Sequence, residues 1–237
     1  MLELEADSIN ARHGMMFYYF TTATHGLSNI ENSRLKIALI DQLNDPFEFI
    51  FMDLSKADAA AKANGVKNNW AATFGIICGS GSWTHPLMWA HYSECHKGIC
   101  IGIELDESIK NNDLIKVEYS KNRIIKTDHE MRTLRQKGED SKEAKEFSNE
   151  VVRTKSEFWS YESEYRILQT IKDLQREGGN YFVKIGDIGK VSEIIIGARS
   201  HLTIAQIARM LPDADIFRAA LSPTKYEMVR GESLRPL

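Results

Sequence analysis

Short β-prone runs recur along the whole chain, and long helices do not alternate with them in any regular way. Met16–Thr21 (MFYYFT) is aromatic, Arg34–Leu39 (RLKIAL) alternates, and residues 71–78 (AATFGIIC) and 98–105 (GICIGIEL) are apolar. The same pattern returns at residues 165–171, 181–185, 191–196 and 214–221, with a turn at 176–180 (REGGN). A doubly wound fold needs strands and helices in strict succession, so this order implies an α+β fold: a β core with helices appended to it. Residues 113–119 (DLIKVEY) also alternate and are expected to pair antiparallel with 98–105.

The helices announce themselves by their boundaries. Residues 22–33 place Leu27 and Ile30 on one face, and Ser55 can cap an Ala-rich helix over 56–63 with Gly65 just past its end. Thr84 opens a helix running to Glu94, with Pro86 tolerated in its first turn. From 127 to 158 the chain is polar and helical: Thr127 and Glu130 form a capping box, Gly138 stops that helix, and a second starts near Ser141. Residues 204–211 (IAQIARML) form a last amphipathic helix. The expected organisation is a single domain over 1–237 with a helical insertion at about 127–158.

With 237 residues the chain can bury a substantial core. Its 33 acidic and 30 basic side chains give no overall field that would draw it to nucleic acid or anionic lipid, which leaves room for a local basic patch. No apolar run approaches the roughly eighteen residues needed to cross a bilayer, and residues 1–10 are acidic where an export leader would be basic and then apolar. A cytoplasmic protein without a membrane partner is expected, with Cys78, Cys95 and Cys100 as reduced thiols.

The densest chemistry lies in Trp159-Ser160-Tyr161-Glu162-Ser163-Glu164-Tyr165-Arg166. If the chain is extended from Glu162 onward, Glu162 and Glu164 point to one face, and Arg166 continues the alternation. Paired carboxylates repel unless a cation or a substrate hydroxyl lies between them, so the pattern suits a site where positive charge develops; a solvated charge run is the plainer alternative. A second cluster joins His85, Trp89, His91, Tyr92, Cys95, His96 and Cys100. His91 and Cys95 stand four apart on a helix, but no paired C-x-x-C spacing accompanies them, and no metal is expected. Gly75, Gly79 and Gly81 in GIICGSGSW are a poor match to a phosphate loop, lacking both a Lys-Ser/Thr ending and the third glycine. Asn44-Asp45-Pro46-Phe47-Glu48 reads as an Asx turn with Phe47 tucked into the core.

Taken in order, FYYFT, LNDPFE, LMWAHYSECHKGICIGIE, FWSYESEYR and SEIIIGA resemble the signature blocks of the bacterial DUF2971 family. The layout is more loosely similar to the ADP-ribosyltransferase superfamily, whose split β core binds NAD⁺ in a cleft and transfers ADP-ribose to a nucleophile. That resemblance implies Glu164 as the catalytic carboxylate and Glu162 as its helper. It also implies Tyr19, standing where His or Arg is usual, and Thr21 on the first strand; Ser80 on a middle strand; Trp89 or Phe20 stacking on a ring; and Arg166 meeting a phosphate. NAD⁺ would be the substrate, the acceptor a protein, a nucleic acid or a small molecule, and the biological role that of a toxin or phage-defence effector. Two other classes fit the same residues: a ligand- or partner-binding module without turnover, and a metal-dependent hydrolase using the His and Cys cluster.

Overall fold

The computed structural model describes residues 15–233; the acidic stretch 1–10 lies outside them. Thirteen strands run in chain order: β1 (Met16–Thr21), β2 (Arg34–Leu39), β3 (Phe74–Ser80), β4 (Ile99–Leu105), β5 (Leu114–Lys116), β6 (Glu118–Ser120), β7 (Thr154–Ser156), β8 (Glu164–Thr170), β9 (Gln175–Glu177), β10 (Asn180–Lys184), β11 (Gly189–Ile196), β12 (Asp215–Leu221) and β13 (Met228–Ser233). Eleven of them form one sheet, in the order β13-β12-β11-β4-β1-β3-β2-β10-β9, with β8 on β3 and β5 on β8; β6 and β7 pair separately. Helices are appended to this sheet, so the molecule is α+β. Among the described residues no helix is long and apolar enough to cross a membrane.

The sheet forks at β3. One edge of β3 is occupied along its length by β8, from Phe74 opposite Thr170 to Ser80 opposite Glu164. The other edge is shared: Gly75 and Ile76 pair with β2, Ser80 pairs with Tyr18 of β1, and residues 77–79 lie between the two partners. Side chains of period two then divide the sheet's faces. Phe17, Ile77, Ile101, Ile103, Ile167, Ile194 and Ile196 share one continuous core with Ile30 and Ile207 from helices Ala23–Glu31 and Ile204–Ala208. The opposite face carries two separate apolar clusters. One holds Tyr18, Trp89, Cys100, Ile195 and Phe217; the other holds Ile40, Phe49, Ile76, Val151 and Val152 under the helical pair Asp128–Lys137 and Lys142–Arg153.

Several elements depart from expectation for identifiable reasons. The helix assigned to 56–63 runs instead over Ala59–Ala71, with Gly65 in its interior. Burying Ala63 and Ala71 and setting Trp70 edge-on against Phe49 at 5.6 Å outweighs the roughly 1 kcal/mol that an exposed helical glycine costs. The helix expected from Thr84 spans Pro86–Tyr92 and is capped by His85, whose ring accepts from the Leu87 amide. Residues 113–119 break into β5 and β6, and β5 pairs with β8, because both edges of β4 are already taken by β1 and β11. Phe47 is half exposed; Phe49, two residues on, is the buried ring. The Asx turn itself is present, the Phe47 amide donating to Asp45 Oδ1 at 2.9 Å.

Gly75 and Gly79 are strand residues of β3 and form no phosphate loop. A Cβ at Gly75 would lie 2.3 Å from Ile37 Cγ2, and one at Gly79 would lie 2.4 Å from the Phe17 ring. Both glycines make room for the side chains of the two strands that diverge from this edge. Gly79→Ala should therefore destabilise the fold by about 1–3 kcal/mol through overpacking against the fully buried Phe17. Gly65→Ala, with nothing within 4 Å of its new Cβ, should stabilise by about 0.5–1 kcal/mol. Urea unfolding midpoints check both signs, and a neutral Gly79→Ala would refute the packing at the fork.

Candidate functional site

Between the two apolar clusters, five buried charged side chains converge. Lys155 comes from β7, Arg166 and Glu164 from β8, Glu162 from the 3₁₀ turn Glu157–Glu162, and Glu48 from the turn after Asp45. Lys155 Nζ lies 2.5 Å from Glu162 Oε2, 2.9 Å from Glu164 Oε2 and 3.4 Å from Glu48 Oε1. Arg166 donates from Nε to Glu164 Oε1 at 2.8 Å, from Nη2 to Glu164 Oε2 at 3.0 Å, and from Nη1 to the Val152 carbonyl at 2.7 Å; it also pairs with Glu48. Three carboxylates and two cations leave the group one negative charge in excess.

Glu162 and Glu164 reach this group together, though not as an extended pair. Glu162 ends the 3₁₀ turn, Ser163 takes a left-handed conformation at φ 44°, and only Glu164 begins the strand. Lys155 is the cation between them. Burial pushes the pKa of both carboxyls up, and the balance then differs. At Glu164 the Arg166 and Lys155 charges and hydrogen bonds overcome burial and hold the pKa at about 2. At Glu162 burial prevails over Lys155 and Tyr92, and the pKa is raised from 4.5. Tyr92 Oη donates to Glu162 Oε1 and accepts from Asn44 Nδ2 at 2.5 Å. His91 Nδ1 meets Tyr161 Oη at 2.7 Å, and His85 stacks on the same Tyr161 ring at 5.4 Å.

A cavity of about 210 Å³ opens at the fork of the sheet. Tyr18 and Phe20 of β1, Ala38 of β2, and Cys78 and Gly79 of β3 form one side; Asn44, Met88 and Tyr92 form another; Lys155, Glu162 and Glu164 supply its charges. A second cavity of about 250 Å³ lies toward the 45–51 turn, and Lys155 lines both.

Of the residues singled out from the sequence, Glu162 and Glu164 line the cavity at the fork. Ser80 stands in one register row with Tyr18 and Glu164, buried, its Oγ accepting from the Ser82 amide. Tyr19 and Thr21 do not reach this cavity. They alternate to the other face of β1, where Tyr19 packs against the continuous core and its hydroxyl donates to the Lys36 carbonyl. Trp89 is fully buried; its indole donates to the Trp83 carbonyl at 2.6 Å and its ring meets Phe20 edge-on. Arg166 has no exposed surface and spends its donors on Glu164, Glu48 and Val152, so it does not present itself to a phosphate. Among the described residues no group of three or more His, Cys, Asp and Glu side chains is placed to hold a metal ion. Cys95 is exposed and Cys100 buried in the core.

Sequence reasoning missed Lys155 and Glu48. Lys155 lies in the stretch that reads as a polar, solvated helical insertion and Glu48 in one that reads as a turn, and only the three-dimensional pairing distinguishes them from solvated charges. Tyr18 was hidden by parity, since the motif resemblance selected its neighbour.

Fold and site together define an α+β protein with a buried carboxylate–cation network beside a cavity in a forked sheet. Residues 88–167 match the family described as "Protein of unknown function (DUF2971)", in agreement with the resemblance read from the sequence blocks. That stretch contains Tyr92, Lys155, Glu162, Glu164 and Arg166. No curated protein and no solved structure matches the chain.

The network has a pH signature. Because the folded pKa of Glu164 lies below its ordinary value, its contribution to stability is present above about 4.5 and is lost as pH falls toward about 2. Glu162, shifted the other way, contributes stability that is fully present below about 4.5 and is lost as pH rises through its own folded value. Lys155→Met leaves three buried carboxylates facing one Arg. It should lower stability at pH 7 by about 3–5 kcal/mol and regain part of that loss by pH 5, as a carboxyl takes up a proton. Urea unfolding from pH 7 to pH 2 measures both profiles; a Lys155→Met protein as stable as wild type at pH 7 would rule out the network as described.

Proposed function

We propose that the chain is an ADP-ribosyltransferase-like enzyme that cleaves NAD⁺ at the fork cavity and passes ADP-ribose to an acceptor. The observation that carries this reading is the pair of carboxylates, Glu162 and Glu164, lining one aromatic-walled cavity within a charge group that is one negative charge in excess. Breaking the bond between ribose C1′ and the nicotinamide nitrogen sends the electron pair to that nitrogen, so nicotinamide leaves neutral and positive charge develops on the ribose. A fixed negative field in a poorly hydrated pocket favours that state over the ground state. Glu164, kept ionised by Arg166 and Lys155, supplies the field. Glu162, held by Tyr92 and Lys155, is the carboxylate suited to accept from the ribose 2′-hydroxyl. The acceptor's nucleophilic atom then bonds to C1′ and its proton passes to solvent water.

The cavity is smaller than the roughly 300–1,000 Å³ of pockets that enclose a whole drug-sized ligand. It therefore suits the nicotinamide riboside end of the dinucleotide, with Tyr18, Phe20 or Tyr92 against the ring and the remainder outside. The three strands to which the looser ADP-ribosyltransferase resemblance assigns functional residues are neighbours, and Tyr18, next to the assigned Tyr19, shares one row with Ser80 and Glu164. A second reading, a binding module without turnover, draws support from the complete pairing of Arg166 and Glu164 and from the inward orientation of Tyr19.

Calorimetry with NAD⁺ and chromatographic detection of nicotinamide separate the two. The enzyme reading expects binding with release. It also expects Glu162→Gln to lower kcat by about 10²–10³-fold with little change in NAD⁺ affinity, since the neutral amide keeps the shape and loses the charge. Binding without release supports the module, and no binding removes NAD⁺ from both readings.

A further inference from the structure

The chain as a whole has three more acidic than basic side chains, yet one groove inverts that balance. Between helices Ala59–Ala71 and Asp128–Lys137 lies a concavity of about 780 Å³ lined by five basic residues, Lys56, Lys62, Lys126, Arg132 and Arg135, against two acids, Asp53 and Asp128. The ion pairs within it are weak. Lys56 to Asp53 and Lys62 to Asp128 are each 3.9 Å and solvent-exposed, and Arg132 and Arg135 are exposed and make no ion pair among the described residues.

The groove does not end at its own rim. The segment 121–126 leads from it to the 250 Å³ cavity beside the charge network, placing Lys121 and Arg123 on that cavity's wall. Two large rings stand exposed there, Phe158 at 82% and Phe47 at 55%. A basic track beside exposed aromatic faces is the arrangement that holds a flexible polyanion carrying flat rings: the cations follow the backbone, and unstacked bases lie on the aromatics. An anionic membrane would call for a broad convex or flat face, and an acidic peptide would leave the rings without a use.

We propose that this track binds single-stranded nucleic acid, with phosphates along the groove of Arg132 and Arg135 and a base stacked on Phe158. The binding surface is independent of the NAD⁺ reading; where both hold, nucleic acid is the class of acceptor.

The test is fluorescence anisotropy of the full chain, without NAD⁺, using a labelled mixed-sequence single-stranded oligonucleotide of about a dozen nucleotides. Affinity should fall as salt rises from about 50 to 200 mM, and Arg132→Ala combined with Arg135→Ala should flatten the log–log salt slope by about 1.4, roughly 0.7 for each lost phosphate contact. Phe158→Ala should weaken binding about tenfold while leaving the salt slope unchanged, as loss of a stacked base requires. All three side chains are exposed, so the variants should melt with the wild type, and nicotinamide release, where present, should persist without the oligonucleotide. Absence of binding, binding unaffected by these substitutions, or equal competition by polyglutamate or phosphatidylserine vesicles at matched charge would each overturn the proposal.

Discussion

Everything near the fork depends on keeping five charges out of water at once. Taking an isolated carboxylate or ammonium into the interior costs several kcal/mol even after relaxation, and each of these groups is tolerable only because its neighbours repay that cost. Lys155 reaches three carboxylates from a three-residue strand, and Arg166 uses its planar fork on Glu164 while reaching back to the Val152 carbonyl. The two cations therefore divide the work. Arg166 ties the sheet to the end of the helical pair, Lys155 ties it to the turn that carries Glu162, and both reach the loop that carries Glu48.

This polar knot explains why the second face of the sheet carries two apolar clusters where the first carries one continuous core. A charge network cannot be covered by aliphatic side chains without losing its partners, so the apolar surface divides around it, with Trp89 and Phe217 to one side and Phe49 and Val151 to the other. The fork of β1 and β2 away from β3 occurs in the same region. Backbone divergence and side-chain polarity together leave a space that neither cluster fills, and the cavity takes its shape from both.

How far the sequence revealed this follows from what kind of information each part needed. The strands of the core, the capping box at Thr127 and Glu130 and the Asx turn at Asp45 were legible because local periodicity and local hydrogen bonding create them. The paired glutamates were legible as a pair, although not in their geometry: the left-handed Ser163 sets their approach, and no pattern of neighbouring residues signals it. β13 and the β5–β8 pairing were not foreseen, since which strand meets which edge is decided by competition among distant segments. Lys155 and Glu48, 107 positions apart by their numbers, belong to that same class of information.

The parity of β1 bears on what a motif resemblance can transfer. A strand shows alternate residues to alternate faces, so moving an assignment by one position moves it across the sheet. Tyr19 stands by order in the sequence where the motif has His or Arg, and its hydroxyl is engaged by the Lys36 carbonyl on the core side. Tyr18 and Phe20 face the cavity, and Tyr18 Oη is held by Glu193 at 3.3 Å. If β1 contacts a ribose or a ring at this site, it does so through Tyr18 and Phe20. These residues offer aromatic surface and a hydroxyl that burial and Glu193 keep protonated, where an imidazole or guanidinium would offer charge. A cavity built this way lacks a cation from its first strand, and the positive charge on its wall comes from Lys155, since Arg166 is sealed behind Glu164. The residual negative charge of the cluster is consequently less offset than it would be with a basic residue on β1, which favours a cationic ring and a cationic transition state over an anionic ligand in the same cavity.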